Sequence, residues 1–178
     1  GNIRFYVLVF SFVLSVVIYL WVTQTTQNSA LQTIRLTQTY ALTAAIFLYF
    51  TLLAGPLTYQ FRALPFRALY MKSRRAIGVS TFYFALIHAR LAFFGELGGF
   101  PVLPTLSSKY LLAISFGFTS LIILTLMAVT ANDAMIAKLT FPRWKFLHRF
   151  VYLVGIFILI HALLLGGHFR DLGSTIPQ

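Results

Sequence analysis

The sequence predicts an all-α integral membrane protein built as a bundle of five transmembrane helices. Two observations predict this fold. The 178-residue chain is 59 % hydrophobic and only 10 % charged, which is more apolar surface than a water-soluble domain of this size can bury. Five apolar runs also approach or exceed the roughly 18 residues that cross a bilayer as a helix. Helices are the expected state because they leave no backbone group unpaired in lipid.

The five segments follow one another in a single domain that covers residues 1–178. The stretches between them carry basic residues and Pro65, or the Gly- and Pro-rich sequence GELGGFPVLPTLSSK, which is typical of turns. The first segment is longer than the apolar part of a signal peptide, and no clear small-residue cleavage site follows it directly. We therefore expect transmembrane helices at about 5–22, 40–59, 76–95, 110–131 and 145–166.

Basic residues are divided unequally between the two sides of this bundle. Ten of the 14 lie with the N-terminus and the loops 60–75 and 132–145, including the adjoining helix ends. Because Lys and Arg are enriched on the cytoplasmic side of membrane proteins, we expect a cytoplasmic N-terminus and an outside C-terminus. Contact with membrane lipid then accounts for most of the net charge of +11, with no nucleic acid as a partner. The absence of cysteine excludes iron–sulfur clusters and thiolate metal sites.

Histidines in apolar helices are the main functional signal. The nearly uncharged stretch FLHRFVYLVGIFILIHALLLG contains both His148 and His161. At about 1.5 Å per residue, His88 on the third helix lies ~4 Å outside the membrane midplane, His161 ~8 Å outside it, and His148 ~11 Å inside it. Two axial ligands of one iron lie about 4 Å apart across the metal, so His88 can share an iron with His161 but not with His148. His168 is expected at the outer surface.

Arginines take the place of a histidine at the inner level. Arg74 and Arg75 lie on the third helix at the depth of His148, and a guanidinium is a poor metal ligand. It suits haem propionates, quinone oxygens or lipid phosphate, while a simple role as a positive-inside anchor stays open. Arg90, just beyond His88, either reaches the outer headgroups or pairs with a propionate.

The two histidines of the fifth helix are 13 residues apart, so they lie about 140° apart on a straight helix. A bend at Gly155 would be needed to bring His148 and His161 onto one face.

Two longer stretches resemble a known family. SRRAIGVSTFYFALIHARLAFF and VTANDAMIAKLTFPRWKFLHRFVYLVGIFILIHALL are similar to the ferric reductase-like transmembrane domain family. Within it, they are most similar to the MsrQ type, the haem-binding membrane subunits of bacterial periplasmic methionine sulfoxide reductase systems. The resemblance covers roughly residues 36–166 and implies b-type haem, with His88, His161 and His148 as the haem-associated histidines. Arg74 or Arg75 stands where the wider family has a fourth histidine, so we expect one haem and leave a second one open.

The resemblance also implies a function. It is the relay of electrons across the bacterial inner membrane, from a cytoplasmic flavin reductase or quinol to a redox protein on the outer, periplasmic side. FMN or FAD would enter only through a partner, because the chain has no G-x-G-x-x-G motif or soluble domain. The chain is then expected to be the electron-transfer subunit of an oxidoreductase system rather than a complete enzyme.

The alternative interpretation is a structural or pigment-binding subunit of a larger membrane complex. Histidine also ligates the magnesium of chlorophyll-type pigments, so the residue types alone do not separate the two. A magnesium pigment usually takes one axial ligand, whereas a low-spin haem takes two. Loss of either His88 or His161 should therefore disturb a haem, whereas only one of them should matter to a pigment.

Overall fold

The computed structural model describes residues 3–63 and 65–165 and is helical throughout, apart from the turns between helices. The α-helices are α1 (Ile3–Thr25), α2 (Ser29–Gln60), α3 (Arg67–Arg90), α4 (Ser108–Val129), α5 (Asp133–Leu139), α6 (Phe141–Arg149) and α7 (Val151–Leu165). A π-helical turn (Leu91–Glu96) extends α3, and a 3-10 helix (Phe100–Thr105) lies in the connection that follows. Five helical segments are long and apolar enough to cross a membrane, α6 and α7 together forming the fifth. The predicted fold class is confirmed.

Hydrogen bonds between helices establish their relative directions. Ser11 on α1 donates to Ser80 on α3 at 2.7 Å, and the hydroxyls of Ser15 and Tyr83 lie 2.7 Å apart one turn further along. The residue numbers rise in both helices from the first contact to the second, so α1 and α3 are parallel. Small hydroxyl side chains allow this close approach and replace the hydrogen bonds that lipid cannot supply.

Two apolar clusters hold the bundle together. The first joins α1, α2 and α3 around Phe84, which is fully buried and lies near Tyr40 and Val22. The second joins α2, α4 and α7 through residues that include Leu48, Leu124 and Val154. Large apolar side chains cover the outside of the helices as well, as expected of a protein whose solvent is lipid.

The second and third helices begin earlier than the hydropathy predicts. The predicted starts at 40 and 76 are wrong, because α2 begins at Ser29 and α3 at Arg67. Asn28 caps α2, its side chain accepting hydrogen bonds from the N–H groups of Ala30 and Leu31. Hydropathy detects the part of a helix that contacts lipid, whereas these polar first turns extend beyond it. The expected loops 60–75 and 132–145 are accordingly shorter and contain helical residues.

The fifth segment is interrupted at Phe150, five residues before Gly155, the position that could have permitted a bend. The N–H of Phe150 bonds to the carbonyl of Leu147, a tighter turn, before the regular pattern resumes. Gly155 instead lies against α2: a Cβ there would be 2.9 Å from Leu52 Cδ1, and its carbonyl accepts from the Tyr49 hydroxyl at 3.2 Å. The role of Gly155 is therefore close packing.

The structure gathers the basic residues at one end of the bundle. We call this the basic end; it holds the starts of α1 and α3, the ends of α2 and α4, and all of α5 and α6. The opposite end holds three basic residues among those described, Arg35, Arg90 and Lys109. We propose that the basic end faces the cytoplasm, as the positive-inside rule indicates.

Alkaline phosphatase fusions test this orientation, because the enzyme becomes active only after export. A fusion after Arg62, between α2 and α3, should be inactive, whereas a fusion after Thr105, between α3 and α4, should be active. Green fluorescent protein fused at the same two positions should give the reverse pattern. The opposite result in both series would contradict the proposed orientation.

Candidate cofactor site

His88 and His161 face each other across the interface between α3 and α7. Their ring centroids are 6.3 Å apart and their planes are inclined by 86°. Two imidazoles bound to one metal ion place their centroids about 6 Å apart, since each metal–nitrogen bond is about 2 Å and each nitrogen lies about 1.1 Å from its ring centre. The observed separation fits two ligands of one metal ion. The two histidines that helix depth places at nearly one level are neighbours in the structure.

Backbone carbonyls of two further helices orient these rings. His88 Nδ1 lies 3.0 Å from the carbonyl oxygen of Thr37 on α2, and His161 Nδ1 lies 2.7 Å from that of Ala113 on α4. A carbonyl oxygen can only accept, so Nδ1 carries the proton in both rings. The lone pair is then on Nε2 in both, the arrangement by which proteins prepare a histidine for metal binding.

A glycine makes room for the His161 ring. A Cβ built on Gly117 would lie 2.9 Å from both Cε1 and Nδ1 of His161. Gly117 follows Ala113 by one helical turn, so the two small residues lie on the same face of α4. Together they let the imidazole reach the backbone of α4.

A cavity of about 430 Å³ lies at the basic end, and Thr81, the lining residue of α3 nearest to His88 in the chain, precedes it by about two helical turns. Arg74, Arg75 and His148, which helix depth places at a similar level, all line it. Lys145 and Arg149 add further positive charge, and none of the lining residues is acidic. Arg74 is held by a hydrogen bond from Nε to the carbonyl of Thr51 at 3.1 Å. The cavity thus combines apolar walls with a cationic lining.

His148 is hydrogen-bonded differently from the other two histidines. Its Nε2 lies 3.2 Å from the hydroxyl of Thr130 at the end of α4. The same hydroxyl lies 2.7 Å from the carbonyl oxygen of Leu126. His88 and His161 therefore bond to backbone carbonyls through Nδ1, whereas His148 bonds to a side-chain hydroxyl through Nε2.

Trp144 is a further contact of His148, on the same helix. Its ring stacks on the imidazole with centroids 4.1 Å apart, and its N–H donates to the carbonyl of Thr130 at 2.8 Å. The Arg75 guanidinium carbon lies 5.9 Å from the Trp144 ring centroid. Trp144 and His148 are four residues apart, which places them on one helix face. This spacing is the sequence feature from which their contact could have been predicted.

Asp133 joins three helices at the basic end. Its carboxylate pairs with Arg75 of α3 at 2.6 Å and with Arg4 of α1 at 3.4 Å. The hydrogen bond and then the charge of Arg75 lower the pKa of Asp133 below its ordinary value. A depressed carboxyl pKa means that the pair stabilises the folded chain above the ordinary pKa, and that this contribution is lost as the pH falls through the lowered one.

The remaining predicted site residues lie apart from both groups or outside the described residues. Arg90 is exposed at the end of α3. It is two residues beyond His88 and so about 200° around the helix from it. This placement favours contact with headgroups over contact with a group bound at His88. His168 lies outside the described residues.

The fold and the histidine pair together define a multi-pass membrane protein with a two-histidine site between parallel transmembrane helices. The chain belongs to the ferric reductase like transmembrane component family, whose model matches residues 37–160. No match was found among solved structures.

Curated relatives share part of the chain. It is 28 % identical over 91 residues to the protein-methionine-sulfoxide reductase heme-binding subunit MsrQ of Ralstonia nicotianae, covering 51 % of this chain and 42 % of that protein. It is 37 % identical over 119 residues to the MsrQ of Klebsiella pneumoniae subsp. pneumoniae, covering 66 % and 56 %. The MsrQ of Klebsiella pneumoniae strain 342 is 35 % identical over 119 residues, covering 66 % and 57 %. The chain thus matches about half the length of these relatives.

Replacing Gly117 by Ala should destabilise the bundle, because the added methyl group overlaps the His161 ring. Overpacking of this kind costs about 1–3 kcal/mol, which we expect as a lowered unfolding temperature in detergent. Gly55→Ala is the matched control, because a Cβ there meets nothing within 4 Å. Both changes replace a helical glycine by alanine, so their difference isolates the contact with His161. Equal unfolding temperatures for the two variants would contradict the steric role of Gly117.

Proposed function

We propose that the chain is a membrane electron-transfer subunit that holds one b-type haem between His88 and His161. The observation that supports this most directly is the approach of the two imidazoles, with ring centroids 6.3 Å apart. Among the described residues, no group of three or more His, Cys, Asp or Glu side chains is placed to hold a metal ion. A metal bound by this pair needs its other ligands from elsewhere, and the four nitrogens of a porphyrin meet that need.

The bound haem would supply an iron that accepts and releases single electrons. The residues of the chain would hold it and adjust its properties. His88 and His161 would occupy both axial positions, which suits electron transfer rather than the binding of oxygen. Their Nδ1–H groups donate to Thr37 and Ala113; such hydrogen bonds fix ring orientation and raise the basicity of the metal-binding nitrogen.

The pair also argues against the pigment-binding alternative. A magnesium pigment usually needs one axial histidine, and a second imidazole on the opposite side would have no ligand role. Here both rings have the same tautomer, and each has its own carbonyl acceptor. Two prepared ligands are what a six-coordinate haem requires.

The cavity at the basic end supports a second, inner level of the same function. Its cationic lining, with Arg74 and Arg75, suits the propionates of a haem or the oxygens of a quinone. His148 lines this cavity, and its Nε2 is already bonded to the Thr130 hydroxyl. We therefore assign His148 to the inner level and rank it below His88 and His161 as a ligand of iron.

The donor, the acceptor and the location of the protein belong to the same proposal. The relatives are named heme-binding subunits of a protein-methionine-sulfoxide reductase, which supports a role beside a separate reductase. We propose that electrons enter from a flavin reductase or quinol on the cytoplasmic side and leave to a redox protein on the outer side. FMN or FAD would be bound by the partner, and the membrane would be the bacterial inner membrane.

Visible spectra of the purified protein test the haem pair. The wild type should show a low-spin b-type spectrum that changes on reduction with dithionite. Either His88→Ala or His161→Ala should abolish it, because both axial positions are required. His148→Ala is the comparison and should leave the haem of the outer pair in place.

Haem extraction counts the sites in the same samples. One haem per chain would support an inner quinone or propionate site, and two would place a second haem at the inner level. A folded protein from haem-replete cells that contains no haem would refute the proposed function. Loss of the spectrum in only one of the two outer variants would favour the pigment alternative.

A further inference from the structure

We propose that Asp133 is a positioning residue for the cavity at the basic end. Its carboxylate holds Arg75 against Trp144 and thereby sets the contact of Trp144 with His148. The meaning of this role for electron transfer rests on the proposed function, whereas the contacts themselves do not depend on it.

The position of Asp133 is fixed by its neighbour in the chain. Asn132 donates to the carbonyl of Val129 at the end of α4 and accepts from the N–H of Met135 in α5. Asp133 is thus the first residue of α5, where a negative charge is favourable for any helix. That preference alone does not explain why each carboxylate oxygen meets an arginine of a different long helix.

The pair with Arg75 contributes little to stability, and its main effect is to fix the direction of the guanidinium. The Asp133 side chain is 75 % exposed and that of Arg75 is 27 % exposed, and ion pairs at such positions contribute little to folding. Arginine has a long, flexible stem, however, and its head would otherwise be free to turn toward water. A charge-assisted hydrogen bond of 2.6 Å holds the guanidinium in one place, beside the Trp144 ring.

Trp144 carries this contact on to His148. Both side chains are hydrogen-bonded to Thr130: Trp144 bonds to its backbone carbonyl, and His148 bonds to its side-chain hydroxyl. The cluster therefore runs from Asp133 through Arg75 and Trp144 to His148 in successive direct contacts. Arg74 lies next in the chain to Arg75 but is held separately by Thr51, so the two arginines are positioned independently.

The negative charge of Asp133 also offsets part of the positive charge that surrounds the cavity. The cavity lining contains four basic side chains and no acidic one, and Asp133 is not among the lining residues. It is the only acidic residue that the described part of the basic end contains. Asp133 thus balances Arg75 from outside the cavity and occupies none of its space.

Chemical footprinting of the full-length protein in lipid nanodiscs tests the proposal. The probe is diethyl pyrocarbonate, and the measurement is the rate of His148 carbethoxylation followed by mass spectrometry. In Asp133→Asn the rate should rise about three- to tenfold, as expected from the loss of one charge-assisted contact at a partly exposed site. Asp133→Glu, which restores the carboxylate, should return the rate toward the wild-type value.

Two comparisons separate positioning from general effects. Glu96→Gln makes the same change in net charge at the opposite end and should leave the rate unchanged. In an Arg75→Gln background, Asp133→Asn should add nothing, because Asp133 acts through Arg75. The Soret absorbance of the same samples reports whether the outer pair is intact and the bundle folded.

The outcomes are distinct. An unchanged rate in Asp133→Asn would overturn the proposal, as would independent, additive effects of Asp133→Asn and Arg75→Gln. Failure of the glutamate variant to restore the rate would also overturn it. Absence of a haem spectrum in the wild type would instead refute the proposed function, while the ratios of His148 rates would still decide the role of Asp133.

Discussion

An imidazole N–H in the interior of a membrane bundle must find an acceptor, and this requirement organises the outer site. Water is not available there, and an unpaired buried donor is costly. His88 and His161 meet the requirement with backbone carbonyls of α2 and α4. Because each ring has only two nitrogens, satisfying one of them defines the direction and the protonation of the other. The geometry of the pair therefore depends on four helices, although only α3 and α7 carry the histidines.

The inner site follows a different principle. Its histidine bonds to a threonine hydroxyl, stacks on a tryptophan and has arginines nearby. The outer pair is held by two backbone carbonyls, whereas the inner group includes arginines and is held by backbone and side-chain acceptors near the end of the bundle. Charge is less costly at that depth, so the difference between the two levels follows the dielectric profile of a membrane.

Apolar length is set by bilayer thickness, so the five helices followed from simple counting along the sequence. The same counting placed His88 and His161 at neighbouring depths, and their rings are neighbours in the structure. The starts of α2 and α3 were missed because polar helical turns carry no hydropathy signal. The carbonyls of Thr37 and Ala113 are backbone groups that every residue possesses, so no residue type marks them. The interruption of the fifth segment lies at Phe150, and Gly155, which could have permitted a bend, serves close packing against α2.

The interruption at Phe150 has a consequence for how such chains can vary. In an unbroken helix, the insertion or deletion of one residue rotates everything beyond it by about 100°, so two sites on one helix must keep their spacing. A break between α6 and α7 lets each half keep its own attachment to α4, His148 near the end of that helix and His161 near its beginning. The two levels are therefore free to diverge in evolution, and a change of ligand chemistry at one need not be matched by a change at the other.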